Sequence, residues 1–373
     1  MVLQQSVPRG TTASADISMG ELRLATRNHG MPLEMLRHDV TPIGMHYLLI
    51  HYDIPFVDDT TWRLGIGGDV AHPVELTLDR LRQLPTVTQR VTLECAGNGR
   101  TMQSPRAISQ PWLHEAVGTA EWTGTPLAGL LDEVGVGDDT VEIVFSGLDR
   151  GFEDGRPQHY ERSLTLEHSR REEVLVAWAI NGQPLPPQHG FPARLVVPGW
   201  YGMASVKWLQ RITAVTEPFE GYQMTRAYRL RQEYDEPGEA LGQIAVRSLI
   251  APPGIPEFAT RDRHVPQEGY EVVGKAWSGA GPIVRVEVSD DMGSTWREAV
   301  VDEPVAPFAW QSWRLQWQPS ATGTTQLWSR ATDAAGATQP VEAAWNLGGY
   351  RTNAVHRVTV VVDAHDAEHR PAT

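Results

Sequence analysis

Short runs of β-branched and aliphatic residues, broken by Gly, Pro, Asn and Asp, dominate the chain from about Thr41 onward, with brief helical patterns between them. Thr77 followed by Leu78 to Leu84, with Pro85 behind, predicts an N-capped helix that the proline stops. Thr125-Pro126, an apolar face of Leu127, Leu130, Leu131 and Val134, and then Gly135 predict a second helix with Thr125 as its cap. Val174 to Ile180 reads as a strand entering an Asn181-Gly182 hairpin turn, and Arg194 to Val197 as a short buried strand. The alternation has no strict strand–helix rhythm, so the first domain is expected to be an irregular α+β unit.

The texture changes after Tyr222. Gln232 to Gly242 is polar, Ala251 to Pro256 is linker-like, and nothing beyond has helical spacing. Val284, Val286 and Val288 alternate with Arg285 and Glu287 before a turn at Asp290 to Gly293, and Val358, Val360 and Val362 form a last strand. Strands of this kind predict an all-β, immunoglobulin-like sandwich of about 100–120 residues. Residues 1–20 are Ser/Thr-rich and expected to be loose, which gives an N-terminal arm (1–40), an α+β domain (41–243) and a sandwich (244–373).

Length and charge narrow the function. The 373 residues suit two domains, and 32 Lys plus Arg against 46 Asp plus Glu leave a net charge of −14, which argues against nucleic acid or anionic membranes as partners. No apolar run is long enough for a membrane span or a signal-peptide core. The sequence as given is expected to be soluble and cytoplasmic, or periplasmic if an export peptide has been removed. A count of one cysteine removes intrachain disulfides, Cys-rich zinc sites, four-Cys iron–sulfur clusters and paired-Cys haem attachment.

Most motif matches fail. Gly65-Ile66-Gly67-Gly68-Asp69-Val70 lacks the third glycine of a dinucleotide fingerprint, and His114-Glu115 lacks the second histidine of a zinc-protease helix. Leu93 to Arg100 is different. A β-branched run delivers the only Cys, Cys95, into a loop in which Gly97 and Gly99 allow left-handed backbone and Arg100 supplies a cation. From these residues alone, Cys95 is a buried inert thiol, a metal ligand or a nucleophile. A Cys-nucleophile hydrolase and a non-catalytic binding module therefore stand as alternatives to a metal enzyme.

The loop Cys95-Ala96-Gly97-Asn98-Gly99-Arg100 resembles the molybdenum-ligating loop of the sulfite oxidase family of molybdenum–molybdopterin oxidoreductases, here a haem-less bacterial type. Asn181 to Pro186, His189 to Gly199 and Val206 to Leu209 are similar to that family's molybdopterin-binding stretch, and Trp122 to Leu127 to its short helix entry. Ala276 to Gly279, Ser294 to Trp296 and Trp345 to Val358 are similar to its dimerisation domain. The resemblance covers roughly residues 40 to 362. It implies Cys95 as the sulfur ligand to molybdenum, with His51, Asn98, His189, Arg194 and Lys207 holding molybdopterin. It also implies Tyr160, Arg100 and Trp112 in the substrate pocket.

By the same resemblance the reaction is oxidation of sulfite to sulfate by oxo transfer, with another sulfur oxyanion or a sulfoxide as the related alternative. Electrons would pass to an external acceptor such as a c-type cytochrome or oxygen, and the enzyme would be a homodimer. Two departures stand out. Leu49 and Gly348 occupy positions where family members acting on sulfite carry Arg; Arg351 follows Gly348 three residues later, and Arg27-Asn28-His29 lies out of register.

Overall fold

The computed structural model describes residues 17–364, and the chain divides into two compact units. The first comprises 17–31, Pro42–Ile244 and Trp345–Thr352; the second comprises Pro32–Thr41, Ala245–Ala344 and the described residues from Asn353. The first 16 residues of the expected loose arm lie outside the described residues. The rest of that arm is built into the units. Ser18 and Glu21 form a reciprocal capping box on the helix Met19–Ala25, and buried Glu21 pairs with Arg106. Asp39 accepts from the buried Lys275 ammonium at 2.6 Å within the second unit. Ser/Thr content signals looseness only where such partners are missing.

The first unit is mixed α+β. One five-stranded sheet runs Val74–Leu76, Leu64–Gly68, Leu209–Val215, Glu142–Glu153 and Arg156–Thr165, with a parallel pairing only between Leu64–Gly68 and Leu209–Val215. In the other, Val87–Glu94 pairs with Val117–Pro126, which pairs with Leu175–Ile180, on whose other edge lie Gln183–Pro184 and Arg194–Val196. Asn181 and Gly182 take φ of 49° and 74°, the left-handed pair that a tight hairpin needs. The helices Leu78–Arg82, capped by Thr77, and Leu127–Val134, closed by Gly135 at φ 65°, follow the sequence pattern. Thr125 does not cap the second helix. It lies in the strand and donates to Leu81 O, while Leu127 N–H is satisfied by Val174 O.

The second unit is a sandwich of two sheets, Arg247–Ile250, Tyr270–Trp277, Gln311–Trp317 and Val300–Val301 facing a six-stranded sheet that contains Ile283–Ser289, Gly323–Asp333 and His356–Asp363. Val272, Val286, Leu327, Ala331 and Val360 are fully buried in its core with Trp313 and Trp317. Ala251–Pro256 is no linker here: Ala251 is buried and Ile255–Pro256 pairs with Arg263–Pro266. Val284 also departs from its alternation. A register shift between Ile283 and Arg285 turns it outward, leaving it 58% exposed.

Buried His356 accepts the Ile250 N–H at its Nδ1, and burial, helped by Arg247, holds its pKa down to about 3. Because the folded value lies below the unfolded one, its contribution is complete above pH ~6.5 and is lost as pH falls toward the folded pKa. Replacing His356 by Asn, which keeps an acceptor, is expected to remove about 1.4 kcal/mol per pH unit from the slope of unfolding free energy between pH ~6 and ~4. Urea titrations across that range measure it; equal slopes would contradict the assignment.

Candidate active site

Cys95 stands at the end of the buried strand Val87–Glu94, where the sheet stops and the chain turns over itself. Its N–H donates to Ala116 O at 2.9 Å, and its carbonyl receives Asn98 N–H at 2.9 Å. The Asn98 amide clamps the turn: Nδ2 donates to Glu94 Oε1 at 3.0 Å and Oδ1 accepts from Ala116 N at 3.1 Å. Gly99 at φ 88° then starts the 3₁₀ turn Arg100–Met102. A Cβ on Gly97 would stand 2.5 Å from the Arg100 guanidinium, so the glycine is what lets that cation fold back.

Buried Arg100 is held on two of its nitrogens and one face. Nε donates to Gly348 O at 3.0 Å, a terminal nitrogen donates to Gln110 O at 3.3 Å, and Tyr350 stacks on the guanidinium at 5.2 Å. Trp112 is buried too. Its indole nitrogen has no ordinary acceptor among the described residues, yet it favours the Cys95 thiolate.

A cleft of about 630 Å³, counting its open mouth, lies in front of the cysteine. Of the nine residues expected at the site, Cys95, His51, Tyr160, His189, Arg194 and Lys207 line it. Arg100, Trp112 and Asn98 do not; they sit in or behind the cysteine loop, and the Asn98 side chain holds protein groups where a cofactor contact was expected. Four further lining residues escaped the sequence reading: His46, Tyr47, Asp149 and Tyr228. A single sequence carries little signal for them, since each is one polar residue inside a short strand-like or polar run. Leu49 lines the cleft as well. Arg351 does not: it is about half exposed and faces Glu239 at 4.0 Å, while Arg27 donates to Tyr52 O at 2.7 Å.

The cleft is strongly cationic at its base. Arg194 donates to His189 O and Ser205 O, both at 3.0 Å, and stacks on Trp122; Lys207 Nζ donates to Leu49 O at 2.8 Å and Gln188 O at 3.2 Å. Both cations are held by neutral carbonyls, which position them without cancelling their charge. Burial pulls Lys207 down to about 7 and Arg194 to about 10. Burial, reinforced by neighbouring cations, lowers His46 to about 4, His51 to about 3 and His189 to about 2, so all three imidazoles are neutral. Burial also pushes the Asp149 carboxyl up to about 7. The Cys95 thiol is raised by burial, against the lowering influence of Arg100, the Gly97 N–H and Trp112.

A string of hydroxyls crosses the other wall. His51 Nε2 meets the Tyr228 hydroxyl, Tyr228 interacts with Tyr160, and Tyr160 donates to Met203 O at 2.8 Å. Since the carbonyl can only accept, the Tyr160 proton is committed at that end. Tyr228 is left as the hydroxyl able to turn between donors and acceptors. Burial raises the pKa of both phenols, so both stay protonated at neutral pH.

These contacts make Gly97→Ala a sharp probe of the loop. Displacing the guanidinium is expected to raise the thiol pKa of cofactor-free protein above that of the wild type, and Arg100→Gln should do the same. Thiolate absorbance during a pH titration measures the shift, and an unchanged pKa in both variants would contradict the electrostatic account.

Residues 51–223 match the oxidoreductase molybdopterin binding domain, and residues 239–363 match the Mo-co oxidoreductase dimerisation domain. The mitochondrial sulfite oxidase of Mus musculus is 33% identical over 355 residues, covering 89% of this chain and 63% of the mouse protein. An NADH nitrate reductase of Phaseolus vulgaris is 31% identical over 373 residues, covering 91% of this chain and 42% of the bean protein. The sulfane dehydrogenase SoxCD from Paracoccus pantotrophus superposes with a TM-score of 0.77 at 26% identity, covering 97% of this chain and 90% of the other. The chain therefore spans less than two thirds of the curated relatives' length but nearly all of the SoxCD chain. With both domains matched in order across residues 51–363, the chain belongs to the sulfite oxidase family of molybdenum–molybdopterin oxidoreductases.

Proposed function

We propose that this chain is a molybdenum-dependent oxidoreductase that transfers an oxygen atom at a sulfur centre, with Cys95 as the protein's ligand to the metal. The observation that carries the reading is the convergence of one soft thiol, two carbonyl-held cations and three neutral imidazoles on one cleft. That donor set suits the family's cofactor. A thiolate matches a metal already bound by dithiolene sulfurs. Lys207 and Arg194, with His189 between them in the cleft wall, would hold the pterin's phosphate. Asp149 Oδ1 is buried with no hydrogen-bond partner among the described residues, and a polar heterocycle would satisfy it.

When bound, the cofactor supplies two-electron redox chemistry and an exchangeable oxygen atom. The chain's own residues do the rest. Asn98 and Arg100 fix the loop that presents the sulfur, and Leu49, Met203 and the tyrosine rings restrict water. Tyr228 holds a proton at its hydroxyl, next to His51, where an oxygen accepted or released by the substrate could be hydrogen-bonded. Sulfite, oxidised to sulfate, is the simplest substrate of the class. Electrons would leave to an external acceptor, a cytochrome or oxygen, and two chains would associate through their sandwich units.

A second reading is favoured by a specific observation. Leu49 faces the cleft, Gly348 brings no side chain, Arg351 is turned to Glu239, and Arg100 gives Nε and one terminal nitrogen to carbonyls and does not line the cleft. A cleft so arranged suits a sulfur centre without formal charge, such as a sulfoxide.

The holoprotein is expected to contain molybdenum stoichiometric with the chain, measured by elemental analysis, and to reduce ferricyanide with a sulfur substrate. Cys95→Ser should abolish that turnover and remove one sulfur from the metal's shell by X-ray absorption; metal-free turnover would overturn the reading. Tyr228→Phe is expected to lower kcat/KM roughly 10²-fold. Tyr160→Phe should have a smaller effect, because its proton is committed to Met203 O.

A further inference from the structure

The cations missing from the cleft reappear one layer farther out. Beyond Tyr228 lies Tyr350, their rings 5.4 Å apart, and Tyr350 forms part of the wall of a second chamber in the same unit. This chamber encloses about 1030 Å³ counting its mouth. Arg226, Arg229 and Arg231 line it together with Tyr222 and Tyr234, and among the described residues its one carboxylate is Asp154. Three arginines within six residues, facing one enclosed space in a chain of net charge −14, are a local reversal of sign.

The three arginines have different work. Arg229 is structural: its nitrogens donate to Pro237 O, Met224 O and Gly238 O and so shape the surrounding loop. Arg231 is anchored at one nitrogen to Thr225 O, while its buried Nε has no hydrogen-bond partner among the described residues. Arg226 is exposed to the chamber, with a side chain uncommitted to any ion pair or hydrogen bond among the described residues. A neighbouring basin shares Arg226, Arg231 and Asp154 with the chamber and adds Arg156 together with Glu153, Glu220, Asp235 and Glu236, so the arginines stand at the border of an acidic rim.

We propose that this chamber binds the anionic tail of the substrate, a carboxylate, sulfonate or phosphate carried on an organic body. The sulfur centre itself would enter the cleft uncharged past Tyr350 and Tyr228. The proposal rests on the second reading of the cleft, oxygen transfer at a sulfur centre without formal charge, and adds how that substrate is chosen. Size supports an organic body, because the room inside the walls, about 420 Å³, is far larger than a bare oxyanion. Chemistry supports it too: tyrosine faces pack against carbon while guanidinium groups fork onto oxygen.

The test uses phenylphosphonate, an organic dianion that is redox-inert, titrated into the holoprotein by calorimetry. Binding is expected in the wild type, about tenfold weaker in Arg226→Gln, and weaker also in Tyr234→Ala, whose ring is 67% exposed. Sulfate should bind far more weakly than phenylphosphonate. Unchanged affinity in both variants, or sulfate binding as tightly as phenylphosphonate, would overturn the proposal. Cys95→Ser protein serves as the second arm. Equal phenylphosphonate affinity there supports a chamber independent of the metal, so failure of the molybdenum reading and failure of this one give different results.

Discussion

Burying positive charge without negative charge beside it is the constraint on which this site depends. Two cations and a thiol lie in one cleft, and the cations are held by carbonyl dipoles rather than carboxylates. The only acid lining the cleft among the described residues, Asp149, is itself driven toward its neutral form. Everything around them answers to this arrangement. Three imidazoles stay uncharged, two phenols keep their protons, and the lysine's hold on its own proton loosens. An anionic cofactor with a soft metal centre offsets all of these costs together, which is why the cluster makes more physical sense with that group than as an isolated core.

The same principle operates in the loop that presents the sulfur. Arg100 is brought behind Cys95 by two glycines, one removing a Cβ from the path of the guanidinium and the other reversing the backbone. Two of its three nitrogens then end on carbonyl oxygens, which fixes the guanidinium's place behind the sulfur. The substitution of Leu49, the absence of a side chain at Gly348 and the outward turn of Arg351 extend the pattern. In this cleft positive charge is concentrated at Arg194 and Lys207, and the positions of Leu49, Gly348 and Arg351 add none.

Much of this was legible in the residue pattern, and the failures are specific. The helices after Thr77 and Pro126, the Asn181-Gly182 turn and the strand-rich end all have local causes, so local reading finds them. The cysteine loop was legible through its resemblance to a family's metal-binding loop, since its residues alone left Cys95 as an inert thiol, a ligand or a nucleophile. What could not be read is long-range. The fates of Thr125 and Val284 were set by a distant carbonyl and a bulge; the partner of Glu21 is 85 residues away. Tyr228 reaches His51 across 177 residues, and no spacing rule connects them.

The eight residues Trp345–Thr352 belong to the first unit although the sandwich strands precede and follow them in the chain. From this segment come Gly348 O for Arg100, the Tyr350 ring on its guanidinium, the Arg351 N–H to Ala96 O, and the Trp345 indole on Pro105 O. Synthesis order then becomes part of the chemistry. A ribosome that has delivered every strand of the first unit has still not delivered the groups that lock Arg100 behind the cysteine. The contacts that lock Arg100 behind the cysteine therefore form only after most of the sandwich has emerged, an order set by the chain itself.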